Sequence, residues 1–347
     1  FETRLDPYPK GEPEQPPKTL LAFCLHYSKG AKKWLAAMTI LGAGIAVGEI
    51  ALFGFMGSIV DWLGTADKAT FLQNEGWKLW LMAGFLLIGL PLMQFIDTHI
   101  IHQTLIGNFP QRIRWMAHRY LIRQSMSYFQ DEFAGRIGAK LMQTALAVRE
   151  VVMKILDVTV FVVVYFAGAV VLAAMSDIWL AVPFIVWLCV YVTLLWYFIP
   201  RLGKISEKQA DARSLMTGRI VDSYTNIATV KLFSHSSREE AYAHEAMDEF
   251  TQTVNAQMRM IALQQFLITM MNCILLAAVV AVGIGQWLNG NMTAGAIAVA
   301  AALVLRFQGM SQWVMWEMSS LFENIGVVRD GISSISLPRV VADQSGA

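Results

Sequence analysis

Charge is scarce in this chain. Only 15% of its 347 residues are charged, and 27 Lys and Arg nearly cancel 26 Asp and Glu. A soluble domain carries about 25% charged residues. The near balance gives no signal for nucleic acid, and no such partner is expected. Cysteine is as sparse. Cys24, Cys189 and Cys273 stand far apart, are odd in number and show no metal or redox spacing. That argues against a disulfide framework. The opening stretch "FETRLDPYPKGEPEQPPK" has few apolar residues, so residues 1–17 are expected to be a flexible leader with no signal peptide. The chain begins with Phe rather than Met and is expected to be trimmed.

Apolar residues are in excess instead. They make up 56% of the chain, and the mean hydropathy is +0.48. Both shifts together indicate an integral membrane protein. A helix crosses the hydrocarbon with about 20 largely apolar residues. Six stretches qualify, at 34–63, 77–105, 152–175, 178–200, 264–288 and 293–316. Each reads as a helix, because lipid forbids unpaired backbone and a barrel would show alternation. The connection between the second and third spans carries Arg112, Arg114, Arg119, Arg123, Arg136, Lys140, Arg149 and Lys154 against only Asp131, Glu132 and Glu150. By the positive-inside rule it is cytoplasmic, as is the leader, so both termini are expected there. The connections at 64–76, 176–177 and 288–292 are short and carry little charge, so they are expected to be external. "NMT" at 291–293 matches a glycosylation sequon, a match short enough to arise by chance. Residues 18–32 read as an interfacial elbow helix lying on anionic headgroups.

The two internal connections are long and are not loops. In "RIRWMAHRYLIRQSMSYF", Ile113, Met116, Tyr120 and Leu121 recur at helical spacing. From Ile137 the pattern runs unbroken into the third span. From Arg201 it continues the fourth span outward, turns at "SHSS" (234–237), and returns as the fifth. Ser237 followed by Glu240 resembles a capping box. Two rigid helical arms are expected on the cytoplasmic side.

Three features carry a family resemblance. One is "LIRQSMSYFQDEFAGRIGAKLMQTALAVREVV" at 121–152, and another is "GRIVDSYTNIATVKLFSHSSREE" at 218–240. The third is the order of six spans with two long internal connections. Together they resemble the transmembrane domain of an ABC exporter, over roughly residues 30–340. The resemblance implies an all-α fold of six long helices (residues 33–335) that extend into the cytoplasm and pair with a second copy, or a homologous half-transporter, as a domain-swapped dimer. It implies the bacterial inner membrane, and a linker at 336–347 toward a nucleotide-binding domain. It also implies a coupling helix near Ile113–Ile122 and another near Arg213–Tyr224. Arg114, Tyr120, Arg123, Arg213, Arg219 and Tyr224 would then serve the nucleotide-domain contact. The sequence departs from a complete transporter in one respect. No G-x-x-x-x-G-K-[ST] occurs, and the lone "GK" at 203–204 lacks its upstream Gly. ATP and Mg²⁺ would therefore be held by a nucleotide-binding domain outside this sequence, and no cofactor or catalytic residue is expected within it.

Ionisable groups at bilayer depth are costly and should face a cavity or a neighbouring helix. The candidates for a substrate pathway are Glu49, Asp97, His99, His102, Arg306, Gln308, Gln312, Trp313, Trp316 and Glu317. Arg306, Met310, Trp313 and Glu317 share one helix face, and Gln308, Gln312 and Ser319 nearly the opposite one. Arg306 and Glu317 are too far apart along the axis to pair directly. An amphipathic cargo is expected, in contact with membrane lipid. A blander reading has the polar groups satisfy one another across helices while the Trp residues mark the interface. His99 and His102 are spaced i, i+3, but Asp97 points elsewhere and a fourth ligand is not evident, so no metal is expected. "GIAVG" at 44–48 reads as a close-packing G-x-x-x-G. Two other functions stay open. One is a proton-driven transporter on the same scaffold with Glu49 and Glu317 as relays, and the other is a scaffold without transport.

Overall fold

The computed structural model describes residues 1–65, 70–131, 134–233 and 236–339. Among them there is no strand. A short helix α1 (Leu20–Tyr27) precedes α2 (Lys32–Thr65). The second long helix, α3, runs Phe71–Leu121 and contains wide π-turns at Phe85–Gly89 and Ile100–Leu105. A six-residue helix α4 (Met126–Asp131) follows. The third long helix, α5, begins as Ala134–Met153, passes a π-turn at Lys154–Thr159 and continues as Val160–Ser176. Then come α6 (Ile178–Thr225), a short α7 (Ile227–Leu232), α8 (Ser236–Leu288) and α9 (Ala294–Ile335). Six of these helices are long and apolar enough to cross a membrane.

Length sets the architecture. With 48 and 53 residues, α6 and α8 extend about 70–80 Å at 1.5 Å per residue. The hydrocarbon takes about 30 Å, so each helix projects far beyond it. The projecting ends, the chain's first residues, α4 and α7 define the arm end. At the other end the connections are tight. Asp177 accepts from the Trp179 amide at 2.7 Å and so caps α6 after a turn of one residue. Thr293 caps α9 by accepting from the Ala296 amide. The sequon match therefore falls on a helix cap.

Two hydrophobic clusters hold the helices together. Near the arm end, Phe23, Met38, Leu105, Phe109, Ile113, Val148 and Val328 pack α1, α2, α3, α5 and α9 around one centre. Deeper, Tyr165, Phe184, Trp187, Leu275, Val279, Leu303 and Phe307 join α5, α6, α8 and α9. Its centre is an aromatic pile. The Trp187 ring stacks on Tyr191 at 4.9 Å and on Phe307 at 5.4 Å. A buried hydrogen-bond chain runs beside it. Trp187 Nε1 donates to Asn272 Oδ1 (2.9 Å), Asn272 Nδ2 donates to Ser311 Oγ (3.0 Å), and the Tyr191 hydroxyl donates to the Ser311 carbonyl (2.6 Å).

Close approach explains several glycines. An added Cβ at Gly48 would meet Leu90 Cδ2 at 2.6 Å, and one at Gly44 would meet Met93 Cε at 2.6 Å. The G-x-x-x-G thus seats α2 against α3. Gly30 turns the chain from α1 into α2 at φ 87°, with its α-carbon against the Arg112 guanidinium.

The leader is not a free tail. Leu5 is buried, and a series of side chains grips the backbone of residues 1–17. Asn108 donates to the Glu2 carbonyl, Arg112 to Asp6, Trp115 to Pro9, and Arg119 to both Pro9 and Gly11. The same segment meets the far end of the chain. Ser336 Oγ donates to the Pro17 carbonyl at 3.0 Å, and Gln15 Nε2 donates to the Ser336 carbonyl at 3.2 Å. The expected flexible leader is therefore a strap between α3 and the end of α9. Composition alone reads such a segment as mobile, because it is held mainly by its own backbone carbonyls, which leave no mark in the sequence. Residues 340–347 of the expected linker lie outside the described residues, as does part of the expected turn at 234–237.

Candidate functional site

Two ion pairs and two cavities lie among α2, α3, α5 and α9 in the spanning region. Glu49 on α2 accepts from Arg306 on α9 at 2.8 Å. The pair lines a cavity of about 540 Å³ whose walls include Phe53, Leu90 and Gln94. Toward the arm end, Lys154 on α5 pairs with Glu317 on α9 at 2.7 Å, both nearly buried. Lys154 Nζ also lies 5.9 Å from the centre of the Trp316 ring. A second cavity of about 230 Å³ is lined by Asp97, Asp157, Phe161 and Trp313. The two cavities share Ile45 and Gln94 in their walls.

The π-turns shape this region. In the one at Lys154–Thr159, the Thr159 hydroxyl donates to the Lys154 carbonyl five residues back, at 3.2 Å. The wider turn changes the facing of the residues it contains, and such turns cluster at functional sites. Lys154 reaches Glu317 while Asp157 lines the smaller cavity. The turn at Ile100–Leu105 begins three residues after Asp97.

The candidate pathway residues separate into two groups. Arg306 and Glu317 do not pair with each other, as their spacing predicts, and each has its own partner. Glu49, Asp97, Arg306 and Trp313 line the cavities, and Glu317 braces them through Lys154. Gln308 and Gln312 are exposed, and Trp316 is 70% exposed. His99 is half-buried, His102 exposed and Asp97 buried, and the three do not gather into one cluster among the described residues. His99 Nδ1 contacts the Phe95 carbonyl at 2.7 Å, and its ring lies against Phe1 and Phe95. Sequence reasoning missed Lys154 and Asp157. Lys154 was counted among the charges of the internal connection, yet both stand inside the run "VVMKILDVTVFVVV", where ionisable residues are out of place.

The coupling candidates are distributed differently from the expectation. Residues 113–121 lie within α3 and 213–224 within α6. The short helices fall about ten residues later in each case, at α4 and α7. The helical pattern carries on past both expected positions, and the breaks come at 122–125 and at Asn226. Arg114 is half-buried and reaches Gln111. Tyr120 is buried and donates to the Leu337 carbonyl at 2.7 Å. Arg213 lies over the Phe250 ring, and Arg219 holds Glu245 and the Tyr242 carbonyl, so both tie α6 to α8. Arg123 and Tyr224 are exposed next to the breaks. Around the short helices, Ile122, Met126, Leu232 and Phe233 are exposed, Leu232 at 81%. Gly203 and Lys204 sit inside the unbroken α6, whose amides are engaged in the helix and cannot cradle a phosphate.

A family model, the ABC transporter transmembrane region, matches residues 35–310. The chain belongs to the ABC transporter transmembrane family. It is 46% identical over its full 347 residues to an uncharacterized ABC transporter ATP-binding protein of Haemophilus influenzae. It spans 56% of that relative's length. A solved structure of a bacterial Atm1-family ABC exporter with ATP bound superposes with a TM-score of 0.64 at 15% identity. The match covers 90% of this chain and 55% of that one. The fold is thus that of an ABC exporter transmembrane region.

Proposed function

We propose that this chain is the membrane-spanning half of an ATP-driven exporter, working as a pair of copies. The arm end faces the cytoplasm, where the Lys and Arg excess of the connections belongs. The linked cavities carry an amphipathic cargo, and α4 and α7 rest on nucleotide-binding domains that hold ATP and Mg²⁺. The observation that carries this reading is the chemistry of the arm tips. Two rigid hairpins end in short helices flanked by exposed Ile122, Met126, Leu232 and Phe233. Apolar side chains held so far from the hydrocarbon core mark a surface that another protein covers. The ATP-binding name of the Haemophilus relative, and the part of its length beyond this match, supply such a protein. A second copy is supported by the outer end of α3. Phe71–Gly84 buries no residue within this chain.

The proton-driven alternative gains no observation in its favour. Glu49 and Glu317 are each already engaged by a cation of a neighbouring helix, Arg306 and Lys154.

The test uses the chain joined to the nucleotide-binding portion of its gene, reconstituted in lipid. Leu232→Asp and Phe233→Asp should leave insertion intact and reduce ATPase activity and flux together, because the docking surface acquires a buried charge. Unchanged ATPase and flux in both variants would overturn the reading.

A further inference from the structure

The smaller cavity holds an electrostatic imbalance. Its neighbours cancel: Glu49 is matched by Arg306, and Lys154 by Glu317. Asp97 and Asp157, from α3 and α5, share the same cavity wall, and neither forms an ion pair among the described residues. Asp97 is only 5% exposed, and its Oδ1 is buried without a hydrogen-bond partner. An ionised carboxylate in such a place is costly until a cation meets it. The cavity of about 230 Å³ in front of the two carboxylates leaves space for one. Gly42 packs close behind Asp157, where a Cβ would stand 3.1 Å from Asp157 Oδ1.

The remaining walls suit an organic cation rather than a metal ion. Phe161 and Trp313 line the cavity and meet edge to face at 6.4 Å. Aromatic faces beside carboxylates attract ammonium and guanidinium groups. A hard metal ion would require more oxygen ligands than two carboxylates and Gln94 provide. The cavity's volume of about 230 Å³ accommodates an amine head group with a short stem. The larger cavity continues from it past Ile45 and Gln94, with Leu52, Phe53, Met56 and Leu90 as an apolar bed.

We infer that Asp97 and Asp157, with Trp313, form a subsite for the protonated amine of an amphipathic cation whose apolar part lies in the larger cavity. The inference deepens the transport reading and rests on the cavities being the cargo path. Asp97 takes the first N–H bond on its unsatisfied oxygen. Asp157 supplies the second, and the indole of Trp313 covers the charge.

The test is binding to the chain in phosphatidylcholine nanodiscs without nucleotide, read by titration calorimetry. The probes are phenethylammonium, the neutral 2-phenylethanol and the anion phenylacetate. The cation should bind saturably and the other two should not. Asp97→Asn and Asp157→Asn should each weaken it about tenfold or more, the loss of one charge-assisted hydrogen bond. Trp313→Leu carries no charge change and should weaken it about threefold, the loss of a cation–π contact of modest strength. Thermal unfolding of each variant verifies that it is folded. Failure of the cation to saturate, equal binding of the alcohol, or wild-type affinity in both Asn variants would overturn the inference. Because nucleotide is absent, those results leave the ATP-driven reading standing, and loss of ATPase coupling leaves the amine subsite standing.

Discussion

The Trp187 indole N–H donates to the Asn272 side-chain carbonyl at 2.9 Å, and the same amide donates onward to Ser311. One buried side chain thus fastens α6, α8 and α9 at membrane depth. Asn272→Ala leaves a buried indole N–H without its acceptor. The expected loss is about 1–2 kcal/mol, since interhelical bonds in membranes are modest. Thermal unfolding in detergent checks it. Trp187→Phe combined with Asn272→Leu removes donor and acceptor together and should be milder than Asn272→Ala alone.

Lys154 and Glu317 bury opposite charges 2.7 Å apart. Removing one leaves the other unmatched. Lys154→Met is expected to destabilise by about 3 kcal/mol, and the double variant Lys154→Met with Glu317→Leu to recover most of that. Denaturation of the unmodified chain and the two variants in one detergent decides it. A double variant as unstable as the single one would show that the pair is not what holds α5 to α9.

Gly331 allows α9 to lie against α5. A Cβ there would collide with Thr144 Oγ1 and Cγ2 and stand 2.8 Å from its Cβ. Gly331→Ala should force the helices apart at a cost of about 1–3 kcal/mol. Thr144→Ala removes the two shortest contacts and should restore part of the loss. The unfolding midpoint of the double variant, set beside both singles, tests this.

The strap predicts a protection pattern and a pH dependence. Arg119→Gln removes the guanidinium that donates to Pro9 and Gly11, so residues 1–17 should become more susceptible to limited proteolysis while α2 stays intact. His26, 3.8 Å from Glu14 on the strap, has its pKa held below the ordinary 6.5 by burial and by Lys29, against the pull of Glu14. A group harder to protonate when folded contributes stability above the unfolded pKa and loses it as pH falls. The protection factors of the strap amides, corrected for the intrinsic pH dependence of exchange, should therefore fall below about pH 6.5, the ordinary histidine range. His26→Phe should remove that dependence.

The spans were legible in the sequence because hydropathy alone locates them. Their extent was partly legible: the arms follow from Ile113, Met116 and Tyr120 recurring at helical spacing. The short helices were misplaced because 113–122 and 213–224 read as amphipathic helix, and nothing as strong as Gly or Pro marks the breaks at 122–125 and 226. The partners of Glu49 and Glu317 were not legible. Helix faces show which residues align along one helix, but not that Lys154 comes from α5 to meet Glu317. Asp157 was overlooked because no motif surrounds it. Its meaning depends on Asp97, sixty residues earlier and on another helix.

The contact of Gln15 and Pro17 with Ser336 has a mechanical consequence. A load applied beyond α9 is not carried by α9 alone, because the strap passes part of it straight to α3, four crossings earlier in the chain. Reporter dyes placed on residues 15 and 336 would keep a constant separation while the arm tips at α4 and α7 swing, which makes that joint a fixed point against which the stroke can be measured.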